Sequence, residues 1–294
     1  MTLSQSFDKF YNSIKTTSID STIAFRKGRI AKCINKDFRI GLDSEGNTLY
    51  VGSYGRCTDN IDVSDIDLLV ILPWSVFTQY HNYCYNGQSA LLQAVKSSIL
   101  NTYSQTKMRA DGQVVQVEFS DMTFEVVPCF EYSDGTFCYP DTNGGGSWRT
   151  MNPRAEIAAV QFRNKETNQN MSALSRMVRS WKDYNKVSIK GITIDILVHR
   201  FLRDYDYKSS TFVYYDYMTR DFFAYLMNIP STQSSYRVMG SDRYITDNGF
   251  FQYKAKQAYN LALEAIKADQ NNYNWKRNSK FREIYGTRFP NNID

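Results

Sequence analysis

The sequence predicts an α+β protein whose strands lie in the first half of the chain and whose helices fill the second. Short apolar runs bounded by turn residues are typical of buried strands. They occur near residues 49–51, 68–72, 114–119 and 124–128. Beyond about residue 152, apolar residues recur at helical spacing. We therefore expect two domains, one over 1–150 and a helical one over 151–294.

Two acids open the strand that follows the turn at Gly52-Ser53. Asp65 and Asp67 are one pleat apart, so their side chains project from the same face. Two neighbouring carboxylates repel each other unless a cation lies between them, and hard oxygen ligands favour Mg²⁺ or Mn²⁺. The alternative interpretation is that both acids are solvated turn residues before a core strand.

A third acid lies in a predicted hairpin. Residues 114–119 form one strand, 120–123 supply turn residues, and 124–128 return as its partner. Glu125 is the single charge in the return strand, where it needs a partner, a hydrogen bond or a metal. It either faces outward from an edge strand or completes a metal site with the two aspartates.

Composition excludes several classes of protein. The net charge of +5 suits a nucleoside triphosphate but does not require a long nucleic acid. Five cysteines without a C-x-x-C pair argue against a disulfide framework or zinc site, and two histidines argue against a Ser-His-Asp triad. No signal peptide or apolar stretch of about 18 residues is visible, so we expect a cytoplasmic protein.

The remaining segments frame these strands. Apolar spacing over 3–15 and from Ile23 to Ile34 predicts an N-terminal helical arm on the first domain. Residues 133–152 are rich in Gly, Asp, Asn and Pro and predict the domain boundary. Within them, Gly144-Gly145-Gly146 lacks the strand-to-helix context and the Gly-Lys-Ser/Thr ending of a phosphate loop, which favours a flexible connector.

The second half carries a basic ridge. Asn152-Pro153 starts a helix through about residue 164, and the next helix presents Arg176, Arg179 and Lys182 three residues apart. Such a ridge grips phosphates or is simply a solvated face. Further helices are expected over 192–203, 214–228 and 250–268.

These features together suit nucleotidyl transfer. Gly52 permits close backbone approach to a polyphosphate, and Ser53 offers a hydroxyl. Three carboxylates from adjacent strands can hold two Mg²⁺ ions, which activate an attacking hydroxyl and neutralise the leaving pyrophosphate.

The chain resembles the DNA polymerase β-type nucleotidyltransferase superfamily, and more closely the bacterial cGAS/DncV-like nucleotidyltransferases (CD-NTases). The resemblance rests on Gly52-Ser53-Tyr54-Gly55-Arg56 and on the strands SDIDLLV and FEVVP. The segments LSRMVRSWKDYN and KFREIYGTRFP extend it over nearly the whole chain. It implies a bilobed protein with a polymerase β-like core, a mixed sheet with flanking helices, followed by a C-terminal helical domain.

The resemblance also implies roles for individual residues. Asp65, Asp67 and Glu125 would be the catalytic metal ligands, and Gly52 and Ser53 would contact the triphosphate. A triphosphate contact is further implied at Arg179, where the family often has Lys. Gly191 replaces a phosphate-contacting Ser, and Lys190 beside it would compensate. Lys182, on the basic ridge, is a further candidate for substrate binding.

Asn170 has two interpretations. It lies about where such enzymes read a base edge, and an amide that both donates and accepts would favour uracil over adenine. It is equally well explained as a helix N-cap.

The resemblance implies a Mg²⁺-dependent synthase that joins NTPs into a cyclic di- or trinucleotide messenger in anti-phage defence. Such an enzyme would have a downstream effector that binds the product and a regulatory protein partner, but no membrane. Two alternatives keep the same core: a nucleotidyltransferase that modifies RNA ends, a protein or a small molecule, and a non-catalytic NTP-binding protein.

Overall fold

A computed structural model describes residues 1–39 and 45–291. The chain divides into two compact units. The sheet unit comprises residues 17–56 and 63–157, and the helical unit comprises 1–16, 57–62 and 158–294. The division after residue 157 lies a few residues beyond the expected boundary at 150. The N-terminal helix differs from expectation, because it is grouped with the helical unit.

The sheet unit contains seven strands and five helices within its described residues. The strands are β1 Thr48–Tyr50, β2 Asp65–Ile71, β3 Lys107–Asp111, β4 Val114–Glu118, β5 Thr123–Glu131, β6 Phe137–Asp141 and β7 Ser147–Met151. The helices are α2 Asp20–Phe38, α3 Gly52–Gly55, α4 Trp74–His81, α5 Gly87–Leu100 and the first turn of α6 Pro153–Glu166.

The sheet is mixed, which confirms the α+β prediction. Its main order is β1-β2-β5-β4-β3, and β6 joins β5 to β7. Only β2 and β5 run parallel; the other pairs described are antiparallel. The predicted hairpin of β4 and β5 is present, with Gln116 opposite Glu125.

Side-chain alternation gives β2 two different faces. Ile66, Leu68 and Val70 are fully buried in a core that also contains Phe124 and Val126 of β5. Helices α2 and α5 contribute Ile30, Ile34, Leu91 and Val95 to that core. The opposite face carries Asp65 and Asp67 and then Leu69, so the strand is polar only where it begins.

Gly144-Gly145-Gly146, expected as a flexible connector, links two paired strands inside the sheet unit. Residues 137–151 form β6 and β7, which pair with each other, and β6 also pairs with β5. Phe137 and Cys138 are buried, and the three glycines occupy the tight turn of this hairpin. Pairing with β5, which the local sequence does not show, orders a segment that is rich in turn residues.

The described residues of the helical unit form six further α-helices, the larger part of α6 and a short hairpin. The helices are α1 Leu3–Ser13, α7 Asn170–Tyr184, α8 Gly191–Asp204, α9 Tyr215–Met227, α10 Gln252–Gln270 and α11 Asn274–Tyr285. The hairpin strands are β8 Ser235–Arg237 and β9 Tyr244–Thr246. The predicted helical pattern of the second half is therefore present. None of the helices described in either unit is long and apolar enough to cross a membrane.

Helix α1 packs against the end of the chain. The ring of Phe7 lies 4.9 Å from that of Phe281 on α11 and 5.2 Å from that of Phe289. The Asn278 amide donates to the Ser6 hydroxyl at 3.2 Å. The aromatic residues whose spacing predicts an N-terminal helical arm thus belong to a helix that packs into the core of the helical unit.

Two features require a glycine at position 52: the backbone conformation and the close approach of Asp67. Its φ is +62°, and a Cβ at this position would collide with Asp67 Oδ2. Gly112 has nearly the same φ, +61°, with open space around it. We expect Gly112→Ala to lower the free energy of unfolding by about 1 kcal/mol through backbone strain, and Gly52→Ala by about 1–3 kcal/mol more through the collision. Urea unfolding of both variants measures the difference, and equal losses would contradict the close approach.

Asp216, in the first turn of α9, is only 4% exposed, and burial with the nearby charge of Asp269 raises its pKa to about 6. The unfolded chain releases this proton nearer pH 4, so this group makes the free energy of unfolding fall as pH rises from about 4 to about 6. The loss amounts to at most about 3 kcal/mol. Urea unfolding across this range should show a smaller fall for Asp216→Asn than for the wild type. The exposed control Asp134→Asn should follow the wild type; a parallel Asp216→Asn curve would refute the assignment.

Candidate active site

Three acids share one face of the sheet unit. In the parallel register of β2 and β5, Asp67 is the partner of Glu125, and Asp65 is the partner of Thr123. Adjacent strands lie about 4.8 Å apart, and alternate residues face the same way. The structure therefore sets Asp67 beside Glu125 at the start of the two strands, with Asp65 on the same face of the sheet.

The charge at this place is unbalanced. Burial, the neighbouring Glu125 and the more distant Asp65 raise the pKa of Asp67 to about 6, although the Arg56 guanidinium lowers it. One buried arginine thus does not offset three carboxylates. An additional cation would relieve both the burial cost and the repulsion.

Each flanking acid already has a polar contact. The Gln116 amide donates to Glu125 Oε1 at 2.9 Å, and the Ser64 hydroxyl donates to Asp65 Oδ2 at 2.8 Å. Among the residues that the structure describes, no group of three His, Cys, Asp or Glu side chains converges closely enough to hold a metal ion. The acids are neighbours on one face, and a cation would require some of them to rotate toward each other.

The donor set nevertheless fits a hard divalent cation. Carboxylate oxygens are the ligands that Mg²⁺ and Mn²⁺ prefer. The pKa of Asp67 is raised first by burial and then by the charge of Glu125, and a bound cation would oppose both effects. Asp65, Asp67 and Glu125 are the residues that would hold the ion.

The Gly52-Ser53 turn lies directly beside these acids. The Val51 N–H donates to the Asp67 carbonyl at 2.9 Å, and α3 begins at the next residue. Since Gly52 has no Cβ, its backbone lies against the Asp67 carboxylate. Ser53 is half-buried on the same short helix. The two residues predicted to contact triphosphate are thus adjacent to the acids within the sheet unit.

Two residues of this site received no role from the sequence. Arg56 is 7% exposed and forms an ion pair with Glu156 at 3.4 Å while it also acts on Asp67. Gln116 binds Glu125 across the hairpin. Counting residue pairs outward from the hairpin turn at 119–122 sets Gln116 opposite Glu125, so the sequence could have identified Gln116. Glu156 is too far along the chain for any local pattern to pair it with Arg56.

The predicted basic ridge is in the helical unit, and Arg179 is engaged there. Its guanidinium forms an ion pair with Asp195 at 2.7 Å and donates to the Gly191 carbonyl at 3.1 Å. Both side chains are buried, Arg179 at 7% and Asp195 at 0% exposure. These contacts favour a structural role for Arg179 over the predicted triphosphate contact.

The other two predicted lysines are more accessible. Lys182 is half-buried and pairs with its neighbour Asp183 at 3.0 Å. Lys190 is exposed, and its ammonium donates to the Thr246 carbonyl at 2.7 Å. Their predicted contacts with substrate remain proposals.

The position of Asn170 argues against both interpretations made from the sequence. It is fully buried at the start of α7, where Gln169 is the N-cap residue. The Asn170 amide donates to the carbonyls of Lys208 and Ser210, each at 2.8 Å, and its oxygen accepts from the Tyr215 hydroxyl at 2.5 Å. Its polar atoms are occupied in fixing a loop, so no atom is directed at a base.

Comparison with solved structures shows the fold. Vibrio cholerae DncV, a cyclic AMP-GMP synthase in complex with nonhydrolyzable GTP, matches with a TM-score of 0.71 at 12% identity, covering 96% of each chain. CdnC from E. coli MS115-1 with ATP matches with a TM-score of 0.62 at 14% identity, covering 97% of this chain and 98% of CdnC. The CD-NTase CdnG from Bradyrhizobium diazoefficiens with GTP gives 0.64 at 10% identity, over 97% and 94%.

Two further complexes of these relatives concern reaction and partner. DncV has been solved with the linear intermediate 5' pppA(3',5')pG, and CdnC in complex with HORMA-deltaN. These similarities confirm the predicted CD-NTase fold with its mixed sheet and flanking helices.

Sequence comparison assigns the family. The search of curated proteins found no match. The model of the Second Messenger Oligonucleotide or Dinucleotide Synthetase (SMODS) domain matches residues 1–164, more than half of the chain. The acids of β2 and β5, the Gly52-Ser53 turn and the first turn of α6 all lie within the matched range. The protein is therefore a member of the SMODS family of CD-NTase nucleotidyltransferases.

Proposed function

We propose that the protein is a template-independent synthase that joins NTPs into a cyclic di- or trinucleotide messenger of anti-phage defence. The observation that carries the proposal is the parallel register that sets Asp67 beside Glu125, with Asp65 on the same face and Gly52-Ser53 adjacent. In each transfer a 3'- or 2'-hydroxyl attacks the α-phosphate of an NTP and pyrophosphate leaves. The last transfer at the same site, the second for a dinucleotide and the third for a trinucleotide, closes the ring: the free hydroxyl of the linear intermediate attacks the α-phosphate of its own 5'-triphosphate, and pyrophosphate leaves.

The acids would hold two Mg²⁺ ions, with Mn²⁺ as a substitute. When bound, such ions lower the pKa of the attacking hydroxyl and neutralise charge on the pyrophosphate. Asp65 and Asp67 come from one strand and Glu125 from its parallel neighbour, so the β2–β5 register determines their spacing. The buried ion pair with Glu156 fixes the Arg56 guanidinium, whose charge acts on Asp67.

The Gly52-Ser53 turn would orient the triphosphate. Because Gly52 has no Cβ, the Asp67 carboxylate lies against the backbone of the turn, and the phosphates would approach this backbone closely. The Ser53 hydroxyl would donate a hydrogen bond to a phosphate oxygen. Lys182 and Lys190 would add positive charge for the β- and γ-phosphates.

Substrates and partners follow by analogy with the relatives. DncV and CdnC were solved with GTP or ATP species, and the linear dinucleotide in DncV corresponds to the product of one transfer. We infer that this protein uses NTPs in the same successive manner. The CdnC:HORMA-deltaN complex supports a regulatory protein partner, and the product would act on a separate effector.

The activity test uses all four labelled NTPs with Mg²⁺. The wild type should give a phosphatase-resistant product whose mass and nuclease map define its bases and linkages. Asp65→Ala combined with Asp67→Ala should abolish this product, because charge stabilisation at the reacting phosphate is lost. The exposed Asp134→Ala in the β5–β6 turn is the matched control and should retain activity. A nucleotide found attached to RNA, protein or a small molecule would instead identify a modifying transferase.

The cation site has a test that needs no turnover. Because a cation that binds only the folded state stabilises it, Mg²⁺ at about 100 times its dissociation constant should add about 2.7 kcal/mol to the free energy of unfolding. Asp67→Asn should remove most of this gain, and Asp134→Asn should preserve it. Thermal unfolding with and without Mg²⁺ measures the effect. Equal Mg²⁺ responses in the wild type and Asp67→Asn would place the cation elsewhere.

A further inference from the structure

A short segment of chain joins the two halves of the proposed site. Residues 57–62, here called the connecting segment, run from the end of the Gly52-Ser53 helix toward Asp65 and Asp67. The residues on either side, Arg56 and Val63, are grouped with the sheet unit, but the connecting segment is grouped with the helical unit. The contacts of the connecting segment therefore restrict the positions of its two ends.

Thr58 is bound by a buried ion pair of the helical unit. Its hydroxyl donates to Asp195 Oδ2 at 2.9 Å, while Asp195 Oδ1 binds Arg179 Nη1 at 2.7 Å. Thr58 and Asp195 have no exposed surface, and Arg179 is 7% exposed. Each carboxylate oxygen thus has a different partner, one on the connecting segment and one on α7.

Three more residues of the connecting segment contact the helical unit. The Arg176 guanidinium donates to the Asp59 carbonyl at 2.7 Å and lies 3.7 Å from the Asp59 carboxylate. The Ile61 N–H donates to the Ile14 carbonyl at 2.8 Å, and Arg288 pairs with Asp62 at 2.6 Å. Four of its six residues are therefore tied to the helical unit by polar contacts.

A buried ion pair is a weak source of stability, because the desolvation of two charges offsets most of their attraction. The same ion pair can define a geometry even where it adds little stability, because charged partners restrict the position of a hydroxyl that binds them. Reaction geometry is sensitive to such placement: a shift of about 1 Å can cost about 100-fold in rate.

We propose that Asp195 is a positioning residue of the nucleotidyl-transfer site, and that Arg179 acts through Asp195 rather than on the substrate. Asp195 binds Thr58 and so fixes the connecting segment, whose two ends lead to Ser53 and to Asp65. Arg179 holds the Asp195 carboxylate in place through its ion pair at 2.7 Å. The inference rests on the proposed function for its catalytic consequence, but the anchoring of the segment is independent of it.

The first experiment replaces the hydroxyl alone. Thr58→Val keeps the shape of the side chain and removes its bond to Asp195. Thr219→Val is the matched control, because Thr219 is equally buried in the helical unit and donates to the Tyr215 carbonyl at 2.6 Å, away from the connecting segment. We expect Thr58→Val to lower kcat by about 10-fold or more with little change in KM for NTP. Thr219→Val should leave kcat unchanged.

Hydrogen exchange supplies a readout that a general loss of stability would not mimic. In Thr58→Val and Asp195→Asn the amides of residues 57–62 should exchange faster, while those of the β2–β5 core keep wild-type protection. Thr219→Val should not change exchange in the connecting segment. The same exchange and kcat in Thr58→Val as in Thr219→Val would overturn the proposal.

A second comparison separates positioning from direct substrate binding by Arg179. If Arg179 acts through Asp195, then Asp195→Asn and Arg179→Lys both lower kcat, and each combined with Thr58→Val adds little further loss. If Arg179 bound the triphosphate, Arg179→Lys would mainly raise KM and Asp195→Asn would not reproduce it. The second pattern overturns the assignment.

Mg²⁺-linked stabilisation distinguishes failure of this inference from failure of the proposed function. A wild type that gains no stability from Mg²⁺ and forms no product refutes the proposed function. If the wild type and Thr58→Val both gain stability from Mg²⁺, and the midpoint Mg²⁺ concentration is the same for both, the positioning role is refuted. We expect the midpoint of the response to rise several-fold in Thr58→Val.

Discussion

The parallel pairing of β2 with β5 is the interaction on which the candidate site depends. Antiparallel neighbours surround this pair, and the register between the two strands places Asp67 beside Glu125. One face of both strands is buried among aliphatic and aromatic side chains, which prevents a slip of one residue. The hydrophobic core therefore determines the spacing of the acids, although none of the acids belongs to it.

Local patterns in the sequence predicted part of this arrangement. Asp65 and Asp67 share a face because strands alternate, and Glu125 stands out as the lone charge in an apolar run. The β4–β5 hairpin follows from two apolar runs separated by turn residues. The parallel pairing of β2 with β5 does not follow from any of these patterns, because it joins strands that are more than fifty residues apart in the chain.

The interpretations that failed or lost support all depended on partners distant in the chain. Gly144-Gly145-Gly146 indicates a flexible connector when only its neighbours in the chain are considered, yet the pairing of β6 with β5 and β7 makes it the turn of a hairpin. Helical spacing placed Arg179 on a basic ridge, but Asp195 on the following helix takes up its charge. Asn170 at the start of α7 binds a loop some forty residues later. No periodicity within a helix reveals such contacts.

The packing of α1 against α11 has a consequence for how the protein is made. On the ribosome the sheet unit has all of its residues once Ile157 has emerged, so β2 and β5 can pair early. Phe7 is synthesised before the sheet unit, whereas its ring partners Phe281 and Phe289 follow that unit. The aromatic face of α1 therefore lacks these partners until α11 has been made. Chaperones that bind exposed aromatic segments can act on α1 during that interval.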